Sequence, residues 1–133
     1  MGRLGWLSLF LLALIGCASQ PLRSFDEEDF VRASVPPERG MVSWYGPGFQ
    51  GKPTASGERF NAKDFTAAHR TLPFGTIVRV TNTITGRRVI VEINDRGPWT
   101  KGRILDVSKT AAEHLSLIGP GSAPCTVQIL ERR

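Results

Sequence analysis

The chain has 133 residues, two cysteines and a formal net charge of +5, which suits one domain and excludes a disulfide-built scaffold. The charge is uneven: residues 18–39 carry three arginines against five carboxylates, whereas residues 40–133 carry 13 basic against seven acidic side chains. A basic domain favours an anionic polymer as its partner. No basic run interleaved with aromatic residues is present, and the export signal described next also argues against nucleic acid.

The first residues of the chain predict export and lipidation. Arg3 precedes an apolar run over residues 4–15, which is typical of a secretory signal and too short to span a bilayer as a mature helix. The run ends in Leu-Ile-Gly-Cys, which resembles a bacterial lipobox. We therefore expect residues 1–16 to be a lipoprotein signal peptide and residues 17–39 to be an anchor and tether, with a lipid such as palmitate on Cys17. An ordinary secretory signal with an incidental Cys17 is the alternative.

The residue after the anchor indicates where such a lipoprotein resides. Ala18 follows Cys17, and lipoproteins that lack Asp at this position usually go to the outer membrane of Gram-negative envelopes. We therefore expect a protein that is anchored to the outer membrane and faces the periplasm.

From residue 40 onward, the chain predicts short strands divided by Gly/Pro turns. The predicted strands cover residues 41–45, 64–68, 75–82, 87–94, 104–107 and 123–130, with a hairpin turn at residues 83–86 between the third and fourth. Ser108 is a good helix N-cap, and Ala111, Ala112, Leu115 and Ile118 follow at near-helical spacing before Gly119 stops the helix. We expect a mainly β fold, a small six-stranded closed barrel with one short helix, covering residues 40–133 of a monomer.

The second cysteine is predicted to be structural. Alternation along the last strand places Cys125 on the same face as Val127 and Ile129. No positive, exposed setting that would activate a thiol surrounds it. We expect Cys125 to be a small buried hydrophobe.

Four titratable side chains are candidates for chemistry. Asp95 lies in Asn-Asp-Arg-Gly-Pro at residues 94–98, where Gly and Pro fix the backbone at a strand end, although a turn-forming Asx side chain is an alternative. Glu58 lies in a turn-rich loop and His69 at a strand end, where a solvated carboxylate and a structural histidine are the ordinary alternatives. Asp106 lies among apolar residues, which is also compatible with a buried structural carboxylate.

The spacing of the histidines and cysteines predicts neither a metal site nor a cofactor. What remains is a carboxylate site. Glycoside cleavage needs an acid that protonates the leaving oxygen and a negative charge that stabilises an oxocarbenium-like state. Glu58 and Asp95 are the candidate pair, and burial decides which is the acid. A close Arg96 guanidinium would keep Asp95 charged and leave the acid role to Glu58 or Asp106.

Several ordered motifs resemble the rare lipoprotein A family over essentially all of residues 40–131. They are Val-Ser-Trp-Tyr-Gly at 42–46, Thr-Ala-Ser-Gly-Glu at 54–58, Leu-Pro-Phe-Gly-Thr at 72–76, Asn-Asp-Arg-Gly-Pro at 94–98 and Gly-Arg-Ile-Leu-Asp-Val-Ser at 102–108. The resemblance implies a double-psi β-barrel and endolytic transglycosylase activity on peptide-stripped peptidoglycan. In that chemistry the bond between N-acetylmuramic acid and N-acetylglucosamine breaks without water, because the muramyl C6 hydroxyl attacks C1 and leaves a 1,6-anhydro end.

By motif, Glu58, His69 and Asp95 match the family's functional positions. The two carboxylates are the expected acid/base and charge-stabilising groups, His69 is a positioning or polarising group, and Asp106 is the reserve acid. The expected glycan-binding side chains are Trp44, Tyr45, Phe49, Arg96 and Trp99. The alternatives are a non-catalytic, expansin-like glycan-binding or wall-loosening module and a structural envelope protein whose basic face docks a cell-division partner.

Overall fold

The computed structural model describes residues 35–133, so the predictions for the signal peptide, for Cys17 and for most of the tether lie outside the described residues. The elements, in chain order, are β1 (Glu38–Trp44), β2 (Thr66–Ala68), β3 (Ile77–Asn82), β4 (Arg88–Asp95), β5 (Arg103–Val107), α1 (Lys109–His114) and β6 (Ser122–Glu131). Within residues 35–133 no helix is long and apolar enough to cross a membrane.

The six strands close into a barrel in the order β1-β5-β2-β4-β3-β6. The pairs β1/β5 and β2/β4 are parallel, and the other four are antiparallel. The predicted closed six-stranded barrel with one short helix is confirmed. Because parallel strands end at the same edge of a sheet, the carboxyl ends of β2 and β4 lie side by side, and the loops that follow them meet.

The barrel interior is filled by alternate side chains of the strands. β3 and β4 alternate cleanly between buried and more exposed positions, which is the two-residue period of a strand with one buried face. The fully buried strand residues include Val42, Val78, Val80, Val91, Ile93, Leu105 and Val107. Cys125 is buried with them and is 2% exposed, as expected of a small hydrophobe.

The helix begins as predicted and ends early. The Ser108 side chain accepts a hydrogen bond from the Ala111 N–H, and α1 ends at His114 rather than just before Gly119. Ser116 has a φ of 57°, a left-handed conformation that stops the helix. The side chains after Ser116 therefore no longer follow the helical repeat. Leu117 is buried and Ile118 is exposed, whereas Ile118 was predicted to lie on the apolar face of the helix.

The hairpin between β3 and β4 is tied to the end of α1 by one buried side chain. Asn82 is the last residue of β3, and its Nδ2 donates to the Leu115 carbonyl at 2.9 Å. Its Oδ1 accepts from the Ile84 N–H at 3.0 Å inside the turn. The predicted turn is present, and Gly86 has a φ of 74°, which favours glycine. One amide thus joins the turn to the helix that closes the core.

Candidate active site

A cleft opens where β4, β2, β5 and β1 lie side by side. Asp95, Ala68, Asp106 and Ser43 are successive register partners across these four strands. Asp95, Ala68 and Asp106 line a cleft of about 610 Å³, and the small Ala68 side chain separates the two carboxylates. Because neighbouring strands are about 4.8 Å apart, the two aspartates are about 10 Å apart at the backbone.

Three donors hold the Asp95 carboxylate. Oδ1 accepts from the backbone N–H groups of Ala55 at 2.8 Å and Arg96 at 2.9 Å, and Oδ2 accepts from the Tyr45 hydroxyl at 2.6 Å. Burial, and next the hydrogen bond to Asp95, raise the pKa of the Tyr45 phenol well above its usual range. The phenol therefore stays protonated and donates. Three donors therefore hold this carboxylate at a fixed place in the cleft.

The Arg96 guanidinium does not pair with the Asp95 carboxylate, so the condition under which Arg96 would hold that carboxylate charged is not met. The Arg96 guanidinium donates instead to the carbonyls of Leu72 at 2.8 Å and His69 at 3.3 Å, and it lies over the Phe74 ring at 4.0 Å from the centroid. Successive side chains at a strand end point to different sides, so adjacency in sequence does not pair these two. Arg96 contributes its backbone N–H to Asp95 and still lines the cleft.

The cation beside a carboxylate in the cleft is Arg103, and its partner is Asp106. Arg103 Nη2 is 2.5 Å from Asp106 Oδ1, and the Ser43 hydroxyl donates to the same oxygen. The guanidinium and the hydroxyl therefore both contact one oxygen of the Asp106 carboxylate. The Arg103 Nε is buried and has no hydrogen-bond partner among residues 35–133, which leaves one donor of this cleft side chain free.

Glu58 is exposed, on a loop that lies against the end of β4. The Ser56 N–H donates to the Asn94 carbonyl at 3.3 Å, and Asn94 Nδ2 lies 3.4 Å from Glu58 Oε2. With the contact from Ala55 to Asp95, these bonds fix the loop beside the cleft. Glu58 is not part of the cleft lining, and within the described chain no cation pairs with its carboxylate.

His69 lies behind the cleft rather than in it. The residue is 6% exposed, its Nε2 is 2.8 Å from Glu38 Oε2, and its Nδ1 accepts from the N–H groups of Thr71 and Leu72. Because Nδ1 accepts, the proton belongs on Nε2 and is donated to Glu38. Its backbone N–H donates to the Asp95 carbonyl at 3.2 Å. These contacts suit His69 to hold the end of β2 against the end of β4, beside Asp95.

Aromatic side chains surround the cleft to different depths. Trp99 is 75% exposed at the rim, whereas Trp44 packs against the core while it also lines the cleft. The Tyr45 ring packs against Phe49 in an edge-on contact at 5.4 Å and against Phe60 at 4.5 Å. A second depression of about 410 Å³ shares Trp44 and Tyr45 with the cleft. The surface that could receive a chain of sugar rings therefore continues on both sides of Tyr45.

Four residues of this arrangement were not predicted as site residues: Ala68 and Arg103 in the cleft, Ser43 beside Asp106, and Glu38 behind the cleft. Arg103 precedes Asp106 by three positions, a spacing that predicts no contact in a strand, and Glu38 is 31 residues from His69. Closure of the barrel brings Glu38 to His69 and Ser43 to Asp106. Among residues 35–133 there is no group of three His, Cys, Asp or Glu side chains that could hold a metal ion.

Comparison with known proteins supports the resemblance. The family model described as lytic transglycolase matches residues 38–127. The chain belongs to the rare lipoprotein A family. One member, named probable endolytic peptidoglycan transglycosylase RlpA, from Nostoc sp., is 58% identical over 96 residues, which are 71% of this chain and 26% of that protein. The Campylobacter jejuni endolytic peptidoglycan transglycosylase RlpA is 50% identical over 91 residues, which are 68% of this chain and 33% of that protein.

This rare lipoprotein A chain therefore spans between 26% and 41% of the length of the curated relatives compared. Its barrel is also similar to that of an expansin from Clavibacter michiganensis, with a TM-score of 0.57 and 22% identity over 72% of this chain and 51% of that one. This likeness concerns the fold alone. The expected double-psi β-barrel is confirmed.

Proposed function

We propose that this protein is an endolytic lytic transglycosylase that cleaves peptide-stripped glycan strands of peptidoglycan between N-acetylmuramic acid and N-acetylglucosamine. The observation that carries the proposal is Asp95, whose carboxylate is held by three donors in an open, aromatic-rimmed cleft. Relatives 58% and 50% identical to this chain are named for this activity.

Asp95 is the charge-stabilising group in this proposal. As the glycosidic bond to the leaving oxygen weakens, positive charge develops at C1 of the muramyl ring, and a fixed carboxylate in the cleft lowers the energy of that state. Because its donors are already in place in the absence of substrate, little reorganisation is needed during the reaction.

Glu58 is the proton carrier in this proposal. Its loop is hydrogen-bonded to the end of β4 beside the cleft, and within the described chain no cation pairs with its carboxylate. It protonates the leaving oxygen as the bond from C1 breaks, and its carboxylate then takes the proton of the C6 hydroxyl as O6 bonds to C1. One bond forms, one breaks and no water is consumed, which gives the 1,6-anhydro end.

In this proposal the remaining side chains bind the glycan or position the carboxylates. Trp99, exposed at the rim, and the Trp44–Tyr45 surface offer faces on which sugar rings stack. His69, held by Glu38, keeps the end of β2 against Asp95. Arg103, which lines the cleft, holds Asp106 in place.

The proposal also includes the location of the protein in the bacterial cell envelope. The lipobox pattern at Cys17 and the Ala18 after it support a lipid-anchored protein on the outer membrane that faces the periplasm. Membrane fractionation of cells that express the chain checks this placement. Recovery of the protein only from the inner membrane, or from the soluble periplasm with an unmodified Cys17, contradicts it.

Substitution of the two carboxyl groups tests the proposal. Asp95→Asn and Glu58→Gln should each slow release of glycan fragments from amidase-treated sacculi by about 100-fold or more, because each removes a group acting in the transition state. Asp64→Asn removes an exposed carboxylate outside the cleft and serves as the matched control with unchanged release. Sedimentation with sacculi should persist in all three variants.

Two outcomes contradict the proposal. Wild-type protein that binds sacculi and never cleaves them identifies a glycan-binding or wall-loosening module instead. Full activity in Asp95→Asn moves the chemistry away from the three-donor carboxylate.

A further inference from the structure

A depression of about 490 Å³ lies on the outside of the barrel and shares no residue with the cleft. We call it the β3–β4 pocket, and it is lined by Phe65, Arg79, Arg88, Val89, Ile90 and His114. Phe65 is 43% exposed and Ile90 is 53% exposed, so apolar surface faces solvent between two guanidinium groups. No carboxylate is among its lining residues within the described chain.

The described part of the chain begins next to this pocket. Gln128, Arg79 and Ile90 are register partners across β6, β3 and β4, so their side chains form one row on the outer face. The Gln128 Nε2 donates to the Val35 carbonyl at 3.3 Å. Val35 therefore lies at the Gln128 end of this row, and the other two members of the row, Arg79 and Ile90, line the pocket.

We infer that residues 25–30 of the same chain bind in the β3–β4 pocket. This segment, Phe-Asp-Glu-Glu-Asp-Phe, has four carboxylates, no basic residue and a phenylalanine at each end. Its charge is complementary to Arg79 and Arg88, and its aromatic ends match the exposed Phe65 and Ile90.

The reach of the chain allows this contact. Phe30 precedes Val35 by five residues, which span at most about 18 Å when fully extended. Two strand spacings separate Gln128 from Ile90, or about 10 Å. A segment tethered this closely has an effective concentration in the millimolar range, so weak individual contacts suffice. Glu92, the next outward position of β4 after Ile90, is outside the pocket lining.

The inference is independent of the proposed function, and NMR of the full chain in detergent tests it. The double variant Phe25→Ala/Phe30→Ala should shift the amide signals of Arg88 and Ile90 and the ring signals of His114, because it removes both aromatic ends. Leu22→Ala truncates an apolar side chain of the same region outside the segment and is the matched control. The Trp99 indole signal, which reports on the cleft, should stay in place.

A second double variant tests whether the effect requires the two arginines of the pocket. In an Arg79→Gln/Arg88→Gln background, which alters two side chains of the outer face, the Phe25→Ala/Phe30→Ala change should no longer move the Ile90 signal. Three results overturn the inference: pocket signals that do not differ from those of the Leu22→Ala control, shifts centred on Trp99 and Tyr45, or shifts that vanish on dilution. The last result assigns the pocket to a second copy of the chain.

Discussion

At the scale of the residue, the local geometry of Asp95 depends on parts of the chain far from it in sequence. Its donors come from Tyr45 just after β1, from the loop before β2 and from its own successor Arg96. The Asn-Asp-Arg-Gly-Pro motif placed a carboxylate at a strand end, and the structure surrounds that carboxylate with donors. Asp106, in the same cleft, has a cation in contact instead. Two aspartates thus have different environments, which is how one site obtains different chemical roles.

The hydroxyl of Tyr45 is the side-chain donor to Asp95, and its removal is informative. Tyr45→Phe should lower the cleavage rate about tenfold or more, because a hydrogen bond to a charged group is worth about 1.5–3 kcal/mol. Binding to sacculi should be preserved because the ring remains. Turbidity loss of amidase-treated sacculi measures the rate. Thr81→Val, which removes a hydroxyl on β3 outside the cleft, should cleave normally, and a Tyr45→Phe rate equal to wild type argues against the donor role.

The buried thiol of Cys125 makes stability depend on pH. Burial raises the pKa of the Cys125 thiol from its ordinary value of 9.0 to about 11. The unfolded chain releases this proton at a lower pH than the folded chain, so the stabilising difference is complete below pH 9 and is lost as pH rises towards 11. Urea unfolding at pH 8, 9, 10 and 11 should show a steeper decline for wild type than for Cys125→Ala. Parallel declines contradict this assignment.

At the scale of the element, alternation and capping predicted most strands and the start of the helix, whereas strand pairing was beyond local signals. β3 and β4 have the clearest two-residue period, and Ser108 marked the start of α1. The early end of α1 depends on a left-handed Ser116, which no propensity favours. Contacts such as that between His69 and Glu38 arise from closure of the barrel, so residues far apart in sequence meet there.

The buried Asn82 side chain joins the β3–β4 hairpin to the end of α1, and its removal should cost stability. Asn82→Ala removes an amide that is 2% exposed and leaves the Leu115 carbonyl and the Ile84 N–H without this partner. The free energy of unfolding should fall by about 1–3 kcal/mol, measured by urea denaturation. Thr83→Val, in the same turn, removes an exposed hydroxyl that donates to the Pro124 carbonyl and should cost less than about 0.5 kcal/mol. Equal losses in the two variants would show that the buried amide has no special role.

At the scale of the whole molecule, a barrel with a surplus of basic side chains follows a segment with a surplus of acidic ones. Residues 40–133 carry a surplus of basic side chains, which suits an anionic wall polymer, and residues 18–39 carry a surplus of acidic ones. The acidic stretch at residues 25–30 and the β3–β4 pocket have complementary charges, and the cleft shares no residue with that pocket. The proposed binding of residues 25–30 and the proposed cleavage of glycan can therefore be tested separately.

The proposed reaction breaks a glycosidic bond in this cleft without water. Amidase-treated sacculi should be digested with wild-type protein in water enriched in ¹⁸O, and the muramyl ends should be examined by mass spectrometry. We expect 1,6-anhydro ends that contain no ¹⁸O and lack the mass of a water molecule, and about 100-fold fewer of these ends with Asp95→Asn. Reducing muramyl ends that carry ¹⁸O would contradict this mechanism, because they identify a hydrolase.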